Sequence, residues 1–320
     1  MNDILTRLGA IGIIPVIKID DIDKAVPLAK ALIDGGIPVA EITFRAAGAE
    51  KAIKAITDAF PEMLVGAGTV LTTEQVDRAR AAGAKFIVSP GFNPKVVAYC
   101  NQLGLPITPG CTTPSEIEQA LEMGLEVLKF FPAEQSGGLA KIKALCAPYT
   151  QVRFIPTGGV DLKNLTTYLG FDKVHACGGS FMVKADYINN GEFDRITALC
   201  RQSIDAMLGF EIAHVGINAA NEAEAVAGAK LLGAMLNLPV KVGNSSVFTG
   251  TLAEFMKQPG FGRNGHIAIR TNFIERAVAN LELRGLAFNP DSKKFNAKGG
   301  LNAIYLRDEV CGFAVHLVQK

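Results

Sequence analysis

The sequence contains no run of 18 or more apolar residues and no C-x-x-C pair among its six cysteines. The first absence argues against a membrane-spanning helix, and the amino-terminal letters MNDILTRLGAIG lack the basic-then-apolar order of a signal peptide. Scattered cysteines without paired spacing are typical of reduced thiols rather than of a disulfide framework. We therefore expect a cytoplasmic protein without a membrane partner.

The chain also lacks a strong excess of either charge. Its 32 Lys and Arg balance 31 Asp and Glu, so the formal net charge is +1. This balance argues against nucleic acid or an acidic membrane as a partner. Hydrophobic residues make up 49% and charged residues 20% of the 320 positions, which is typical of a globular protein with room for one large domain or two.

Short apolar runs alternate with amphipathic, alanine-rich segments over the first two-thirds of the chain. This rhythm predicts eight strand–helix units and therefore a (β/α)8 TIM barrel over residues 1–208. A doubly wound open sheet is the alternative, but the G-x-G-x-x-G turn that often follows its first strand is missing. The predicted strands are IIPVIKI (13–19), VAEITF (39–44), LVGAGTV (64–70), FIVSP (86–90), PITPGC (106–111), VLKFFP (127–132), RFIPTGG (153–159) and KVHACGG (173–179).

The rhythm changes near Gly209. The segment HVGINAANEAEAVAGAKLLGAMLNLP (214–239) resembles HIAIRTNFIERAVANLELRGLAFNP (266–290), and alternating runs follow both. This repeat predicts two βαβββ-like modules that form a smaller domain over residues 209–320. The predicted fold class is thus α/β, a (β/α)8 barrel followed by an α+β domain of paired βαβββ modules.

Lys129 lies inside the apolar run VLKFFP, where a charged ammonium is unexpected. Alternation predicts that it points into the barrel with Val127 and Phe131, and apolar surroundings favour the neutral amine that attacks a carbonyl. Glu41, within VAEITF, is predicted to point inward from another strand. The two residues form either a buried salt bridge or a Schiff-base amine with its acid–base partner.

Further polar or glycine-rich sequences follow the predicted strands, at the end of the barrel where such folds carry their chemistry. PTGG and CGGS let backbone N–H groups approach a phosphate, or they simply form tight turns. Arg45, just after the second strand, suits fork-like binding of a carboxylate, or it is an exposed surface arginine.

Five motifs in order, AEITFR, VGAGTV, KFFPAE, PTGGV and GGS, resemble those of the aldolases of 2-keto-3-deoxy-6-phosphogluconate (KDPG) and 4-hydroxy-2-oxoglutarate (KHG). The resemblance covers residues 5–205. It implies a class I aldolase that forms a Schiff base with a small keto-acid substrate and uses no cofactor in this reaction. It also implies a homo-oligomer, with a trimer favoured. The segment AAGAE after Arg45 departs from the Thr-Pro-containing turn of many relatives, which leaves the preference between the two substrates open.

By motif, the resemblance implies that Lys129 forms the Schiff base and that Glu41 is the general acid and base. Arg45 and Thr69 then bind the carboxylate end of the substrate, while Pro90 and Phe131 wall the pocket. Strands seven and eight supply the remaining substrate-binding residues, chiefly for the phosphate: Thr157, Gly158, Gly159, Gly178, Gly179 and Ser180.

Residues 210–320 resemble the glyoxalase or vicinal-oxygen-chelate superfamily, whose members often place metal ligands on the first and last strands of each module. His214 and His266 fit first-strand positions, and His316 falls on a last strand where relatives often carry Glu. The run VFTGTL offers no fourth ligand. Three protein ligands and a water can hold a catalytic zinc, so a divalent metal is one expectation, and packing, oligomer control or ligand sensing are the others.

Three functions are therefore compatible with the sequence. The leading hypothesis is the aldolase. The alternatives are a bifunctional enzyme with a metal-dependent activity in its C-terminal domain, and a non-catalytic sensor that binds a metabolite. Lys129 and Glu41 favour catalysis, because binding alone requires neither an amine nor a base.

Overall fold

The computed structural model describes residues 2–320, and the chain divides into two compact units between Met207 and Leu208. No helix within this described range is long and apolar enough to cross a membrane.

The first unit alternates strands and helices along its whole length. Its strands are β1 (Ile13–Ile17), β2 (Val39–Thr43), β3 (Leu64–Gly68), β4 (Phe86–Ser89), β5 (Ile107–Pro109), β6 (Val127–Phe130), β7 (Arg153–Pro156) and β8 (Cys177–Gly179). Its helices are α1 (Asp3–Ile11), α2 (Ala25–Asp34), α3 (Ala49–Ala59), α4 (Thr73–Ala81), α5 (Pro94–Gln102), α6 (Pro114–Glu122), α7 (Gly138–Cys146), α8 (Leu165–Leu169), α9 (Ala185–Asn189) and α10 (Phe193–Leu208).

These strands close into a barrel. Parallel pairing runs in the order β5-β4-β3-β2-β1-β8, and β6 pairs with β7. Single bridges complete the ring, from Gly110 to Lys129 on one side and from Thr157 to Gly178 on the other. The predicted (β/α)8 barrel is thus confirmed, and the doubly wound alternative is wrong.

Capping side chains mark the start of several helices that follow the barrel strands. The Thr72 side chain accepts a hydrogen bond from Gln75 N at the start of α4, and Asn93 accepts one from Lys95 N at the start of α5. Such caps satisfy N–H groups that have no partner within the helix. Because the barrel strands are parallel, the polar residues that follow them lie at one end of the barrel.

The second unit is an eight-stranded mixed sheet with two helices. Its strands are β9 (Glu211–Asn218), β10 (Val240–Val242), β11 (Ser246–Thr249), β12 (Ala253–Met256), β13 (Gly265–Thr271), β14 (Lys294–Phe295), β15 (Leu301–Val310) and β16 (Phe313–Gln319), and its helices are α11 (Glu222–Leu236) and α12 (Ile274–Leu283). Along the chain this is βαβββ twice, as predicted. The strand order β10-β11-β12-β9-β13-β16-β15-β14 sets the two modules side by side through β9 and β13.

The alternating run that follows α11, SSVFTGTL (245–252), contains a turn. The chain turns back at Gly250, which has a φ of 54°. β11 ends before this turn and β12 begins after it, and the two pair as an antiparallel hairpin. The last strand of the first module is therefore β12.

Candidate active site and candidate metal centre

Lys129 and Glu41 meet inside the barrel. The Lys129 Nζ lies 3.2 Å from Glu41 Oε1, and the two side chains are only 7% and 4% exposed. The ring of Phe131 lies beside the amine, with its centroid 5.4 Å from Nζ. A buried amine is thus held against one carboxylate and one aromatic ring, within reach of a molecule that enters the barrel from its open end.

Every barrel residue that the sequence singles out as a site residue lines one cleft of ≈ 250 Å³ around this pair. The cleft is also lined by Val16, Thr43 and Val160, which sequence reasoning missed. The residues brought together as predicted are Glu41, Arg45, Thr69, Pro90, Lys129, Phe131, Thr157, Gly158, Gly159, Gly178, Gly179 and Ser180.

A larger cavity of ≈ 340 Å³ lies at the opposite end of the barrel, where β5 and β6 begin. Glu126 is the one ionisable side chain among its lining residues. Without a second titratable group, this cavity lacks the acid–base pair that the smaller cleft contains.

The end of β3 is shaped around the Glu41 carboxylate. A Cβ atom at Gly68 would lie 2.3 Å from Glu41 Oε1, so only glycine leaves room for the carboxylate at its present position. The next residue, Thr69, has a φ of 56°, which is strained for a β-branched side chain. This strain at a residue that lines the cleft supports a functional role for Thr69.

Arg45 lies at the rim of the cleft and is exposed. Its Nε donates a hydrogen bond to Thr43 Oγ1 at 3.2 Å, and Thr43 Oγ1 in turn donates one to the carbonyl of Ile17 at 2.8 Å. Its terminal guanidinium nitrogens have no hydrogen-bond or ion-pair partner within residues 2–320, so they can bind an anion. The position of Thr43 follows from the same alternation that predicts Glu41 to point inward, since Val39, Glu41 and Thr43 share one face of β2.

The glycines after β7 and β8 form the other wall of the cleft. Gly158 and Gly159 adopt φ angles of 96° and 81°, which strongly favour glycine. A Cβ atom at Gly178 would lie 2.3 Å from Thr157 Oγ1. The exposed Ser180 follows β8 and adds a hydroxyl beside this loop. Backbone N–H groups and a hydroxyl therefore border the cleft here, as an anion site requires.

The second unit contains a cluster of three histidines and one glutamate. His214, Glu254, His266 and His316 come from β9, β12, β13 and β16, which are adjacent in the sheet. Residue pairing places Glu254 and His266 on either side of Gly216, and His214 and His316 on either side of Ala268. A Cβ atom at Gly216 would lie 2.0 Å from the His266 ring, so the small residue makes the convergence possible.

The distances within this cluster match those between ligands of one metal ion. His214 Nε2 lies 3.1 Å from His266 Nε2, and Glu254 Oε2 lies 3.1 Å from the first and 3.3 Å from the second. Two atoms bound at about 2.1 Å to one ion lie roughly 3.0–3.4 Å apart at octahedral to tetrahedral angles. The ring nitrogens of His214, His266 and His316 offer a set of ligand atoms within 4.8 Å of one another.

The charge states of His316 and Glu254 also suit a cation. Burial, followed by the nearby His266 and His214, lowers the pKa of His316 to about 3, so this ring is neutral at pH 7. Although burial raises the pKa of Glu254, hydrogen bonds with His214, His266 and Ser246 lower it well below its usual range. Neutral imidazole and ionised carboxylate are the forms that bind metals.

Two further observations concern His316 and Glu254. Neither ring nitrogen of His316 has a hydrogen-bond partner in residues 2–320, although the residue is only 7% exposed. An unpaired buried imidazole is unfavourable unless a ligand satisfies it. Glu254 was missed by sequence reasoning, which searched VFTGTL, the end of β11 and the turn after it, and not the following strand, β12. The signal was present, because Glu254 is a carboxylate between the apolar residues of LAEFM.

Comparison with known proteins finds relatives of the first unit. A family model described as KDPG and KHG aldolase matches residues 4–199. The chain is 52% identical over 204 residues to the 2-dehydro-3-deoxy-phosphogluconate aldolase of Treponema pallidum, which covers 64% of this chain and 97% of that protein. It is 42% identical over 193 residues to the KHG/KDPG aldolase of Escherichia coli K12, covering 60% of this chain and 91% of the relative.

Two solved structures are similar to the same part of the chain. One is a KDPG aldolase from Legionella pneumophila, with pyruvate captured at low pH as a covalent carbinolamine intermediate. It is 40% identical, has a TM-score of 0.60, and covers 62% of this chain and 96% of its own. The other is the Zymomonas mobilis ZM4 aldolase with 3-phosphoglycerate, 38% identical with a TM-score of 0.58, covering 63% and 95%.

Proposed function

Because the chain belongs to the KDPG and KHG aldolase family, we propose that its barrel is a class I aldolase that cleaves KDPG to pyruvate and glyceraldehyde 3-phosphate. The observation that carries this proposal is the buried pair of Lys129 Nζ and Glu41 Oε1 at 3.2 Å inside the cleft. An amine and a carboxylate at this distance are what Schiff-base chemistry needs. The same chemistry applies to KHG, which yields pyruvate and glyoxylate.

In the proposed reaction, Lys129 Nζ adds to the C2 carbonyl carbon of the substrate. The resulting carbinolamine loses water and becomes an iminium. Glu41 lies against Nζ and is therefore placed to move protons on this adduct in the steps that follow. The Phe131 ring beside the amine reduces the access of bulk water to it.

Carbon–carbon cleavage then uses the iminium as an electron sink. A base removes the proton of the C4 hydroxyl, the C3–C4 bond breaks, and its electron pair forms an enamine. Glyceraldehyde 3-phosphate leaves as the aldehyde. Protonation of the enamine at C3 and addition of water release pyruvate and restore the free amine.

The proposal assigns the remaining cleft residues to substrate binding. Arg45 and Thr69 bind the carboxylate end, and Pro90 and Phe131 wall the pocket. The loops after β7 and β8, from Thr157 to Gly159 and from Gly178 to Ser180, receive the phosphate. On the family resemblance we also propose a cytoplasmic homotrimer that acts in the Entner–Doudoroff pathway.

Borohydride trapping tests the aldolase. We expect sodium borohydride with pyruvate to inactivate the protein and to leave a reduced pyruvate adduct on Lys129, located by peptide mass spectrometry. Lys141→Ala is the matched control, because Lys141 lies on α7 and does not line the cleft. This variant should be trapped like the wild type. Full turnover of KDPG by Lys129→Ala would contradict the proposal.

We propose as a second candidate function that His214, Glu254, His266 and His316 hold a divalent metal in the second unit, which makes the chain bifunctional. The triangle of 3.1, 3.1 and 3.3 Å between three ligand atoms favours it over a domain used only for packing. A metal held there supplies Lewis-acid chemistry to an oxygen ligand of a substrate.

Metal analysis tests the second candidate. After dialysis against Zn²⁺, Mn²⁺, Ni²⁺ or Fe²⁺, one of these should remain at about one ion per chain, and Glu254→Gln should reduce its affinity about 10- to 100-fold. Glu309→Gln, which removes an exposed carboxylate from β15, should bind like the wild type. Equal, negligible metal in all three proteins would support a packing or sensing domain instead.

A further inference from the structure

The carbonyl groups of the loop after β7 accept hydrogen bonds from residues that do not line the cleft. Ala133 N donates to the carbonyl of Thr157 at 2.8 Å, and Glu134 N donates to that of Gly158 at 3.1 Å. The next carbonyl, of Gly159, accepts a hydrogen bond from Asn164 Nδ2 at 2.9 Å. Three successive carbonyls are thus fixed by groups behind the loop.

These bonds determine where the N–H groups of the loop point. The C=O and N–H of a trans peptide point in opposite directions. When Glu134 holds the Gly158 carbonyl and Asn164 holds the Gly159 carbonyl, the N–H groups of Gly159 and Val160 point the other way. Both residues line the cleft, and neither N–H donates to another group in residues 2–320.

Asn164 is itself held in place at the start of α8. Its Oδ1 accepts a hydrogen bond from Asp161 N at 2.9 Å, while its Nδ2 reaches Gly159. One amide side chain therefore bridges the two ends of the turn from Gly159 to Asn164. Ala at this position has no hydrogen-bonding side-chain group, and the Ser side chain is too short to bond to both Gly159 and Asp161.

Glu134 is fixed by a second contact. The buried Tyr168 hydroxyl donates a hydrogen bond to Glu134 Oε1. The Glu134 stem packs against Gly159, where a Cβ atom would lie 2.4 Å from Glu134 Cγ. The loop is therefore clamped between Asn164 on one side and the Glu134–Tyr168 pair on the other.

We infer that Asn164 is a positioning residue for the substrate phosphate, and that it sets the preference for a phosphorylated over an unphosphorylated keto acid. It does so by fixing the Gly159–Val160 peptide with its N–H toward the cleft. The inference rests on the proposed aldolase function. Asn164 has no part in the Schiff-base steps, since it contacts neither Lys129 nor Glu41.

Steady-state kinetics with KDPG and KHG test this role. We expect Asn164→Ala to raise KM for KDPG about 3- to 10-fold, the range expected for one lost hydrogen bond, with little change in kcat. KM for KHG, which has no phosphate, should change by less than a factor of about two. The inhibition constant of inorganic phosphate should rise by the same factor as KM for KDPG. Asn164→Ser provides a second neutral variant.

Thr167→Ala is the matched control, because Thr167 is exposed on α8 and should leave all three constants unchanged. Equal losses on both substrates in Asn164→Ala and Asn164→Ser, or an unchanged phosphate inhibition constant, would overturn the inference. A wild-type protein that cleaves neither substrate would instead overturn the proposed function.

Discussion

At the scale of single residues, replacing Glu41 should allow the Schiff base to form but slow completion of the reaction. Glu41→Gln keeps the shape of the side chain beside Lys129 but removes the group that takes up protons. We expect kcat for KDPG cleavage to fall about 100-fold or more, the range for loss of a general acid–base. The borohydride-trapped adduct on Lys129 should still form, and both quantities can be measured on one preparation.

Glu126→Gln is the control for this prediction. Glu126 lines the cavity at the opposite end of the barrel, so this substitution removes one carboxylate charge without changing the cleft. Its turnover should equal that of the wild type. If Glu41→Gln turns over normally, another group carries the protons and the role assigned to Glu41 is wrong.

Residues could be predicted from sequence where their polarity contradicted their surroundings. Lys129 and Glu41 stand out because each interrupts an apolar strand, and burial makes such groups unfavourable unless they are used or paired. Thr43 was missed because a threonine is ordinary in a strand. Sequence alone left open whether Lys129 and Glu41 form a salt bridge or a catalytic pair, since one inward lysine and one inward carboxylate are compatible with both.

For whole elements, the order could be predicted well and the ends less well. The sequence predicts all eight barrel strands, but it predicts the last one over KVHACGG (173–179), whereas β8 covers only Cys177–Gly179. Hydrophobic alternation continues into loops that pack against the barrel, so pattern alone does not mark where pairing stops. The turn at Gly250 separates β11 from β12, and for this reason a search of VFTGTL alone missed Glu254.

The capping box of α6 gives a prediction at this scale. Glu116 Oε2 accepts hydrogen bonds from Thr112 N at 2.8 Å and from Thr113 N at 2.9 Å. Burial raises the pKa of Glu116, but these bonds and those from the threonine hydroxyls outweigh it and lower the pKa below 4.5. Glu116→Ala should therefore destabilise the protein by about 1–2 kcal/mol at pH 7.

The pH dependence of this effect has a definite sign. A carboxylate whose pKa is lowered by folding stabilises the protein above its unfolded value of 4.5, and this contribution is lost as the pH falls below it. The difference between wild type and Glu116→Ala in urea unfolding should thus shrink below pH 4.5. Glu122→Ala, an exposed carboxylate at the end of α6, should change stability by less than about 0.5 kcal/mol. A pH-independent difference would contradict the assignment.

For the whole molecule, the barrel and the paired βαβββ modules place their ionisable clusters by the same means. In each, separate strands carry one functional side chain apiece: β2 and β6 in the barrel, and four adjacent strands in the second unit. Small residues such as Gly68 and Gly216 leave the space in which those side chains meet. Alternation along a strand is visible in sequence, but the register between strands is not. This explains why the histidines were predicted as candidates while their common centre with Glu254 required the structure.

The last prediction is that cleavage of KDPG requires only the first unit. Every residue of the proposed cleft precedes Met207, and the Treponema pallidum relative is matched over 97% of its length by 204 residues of this chain. A chain that ends after Leu208 keeps α10 complete. Its kcat/KM for KDPG should stay within about threefold of the full chain, because compact units with their own core fold independently. A truncated protein that keeps its circular dichroism spectrum and loses most turnover would show that the second unit contributes to the barrel reaction.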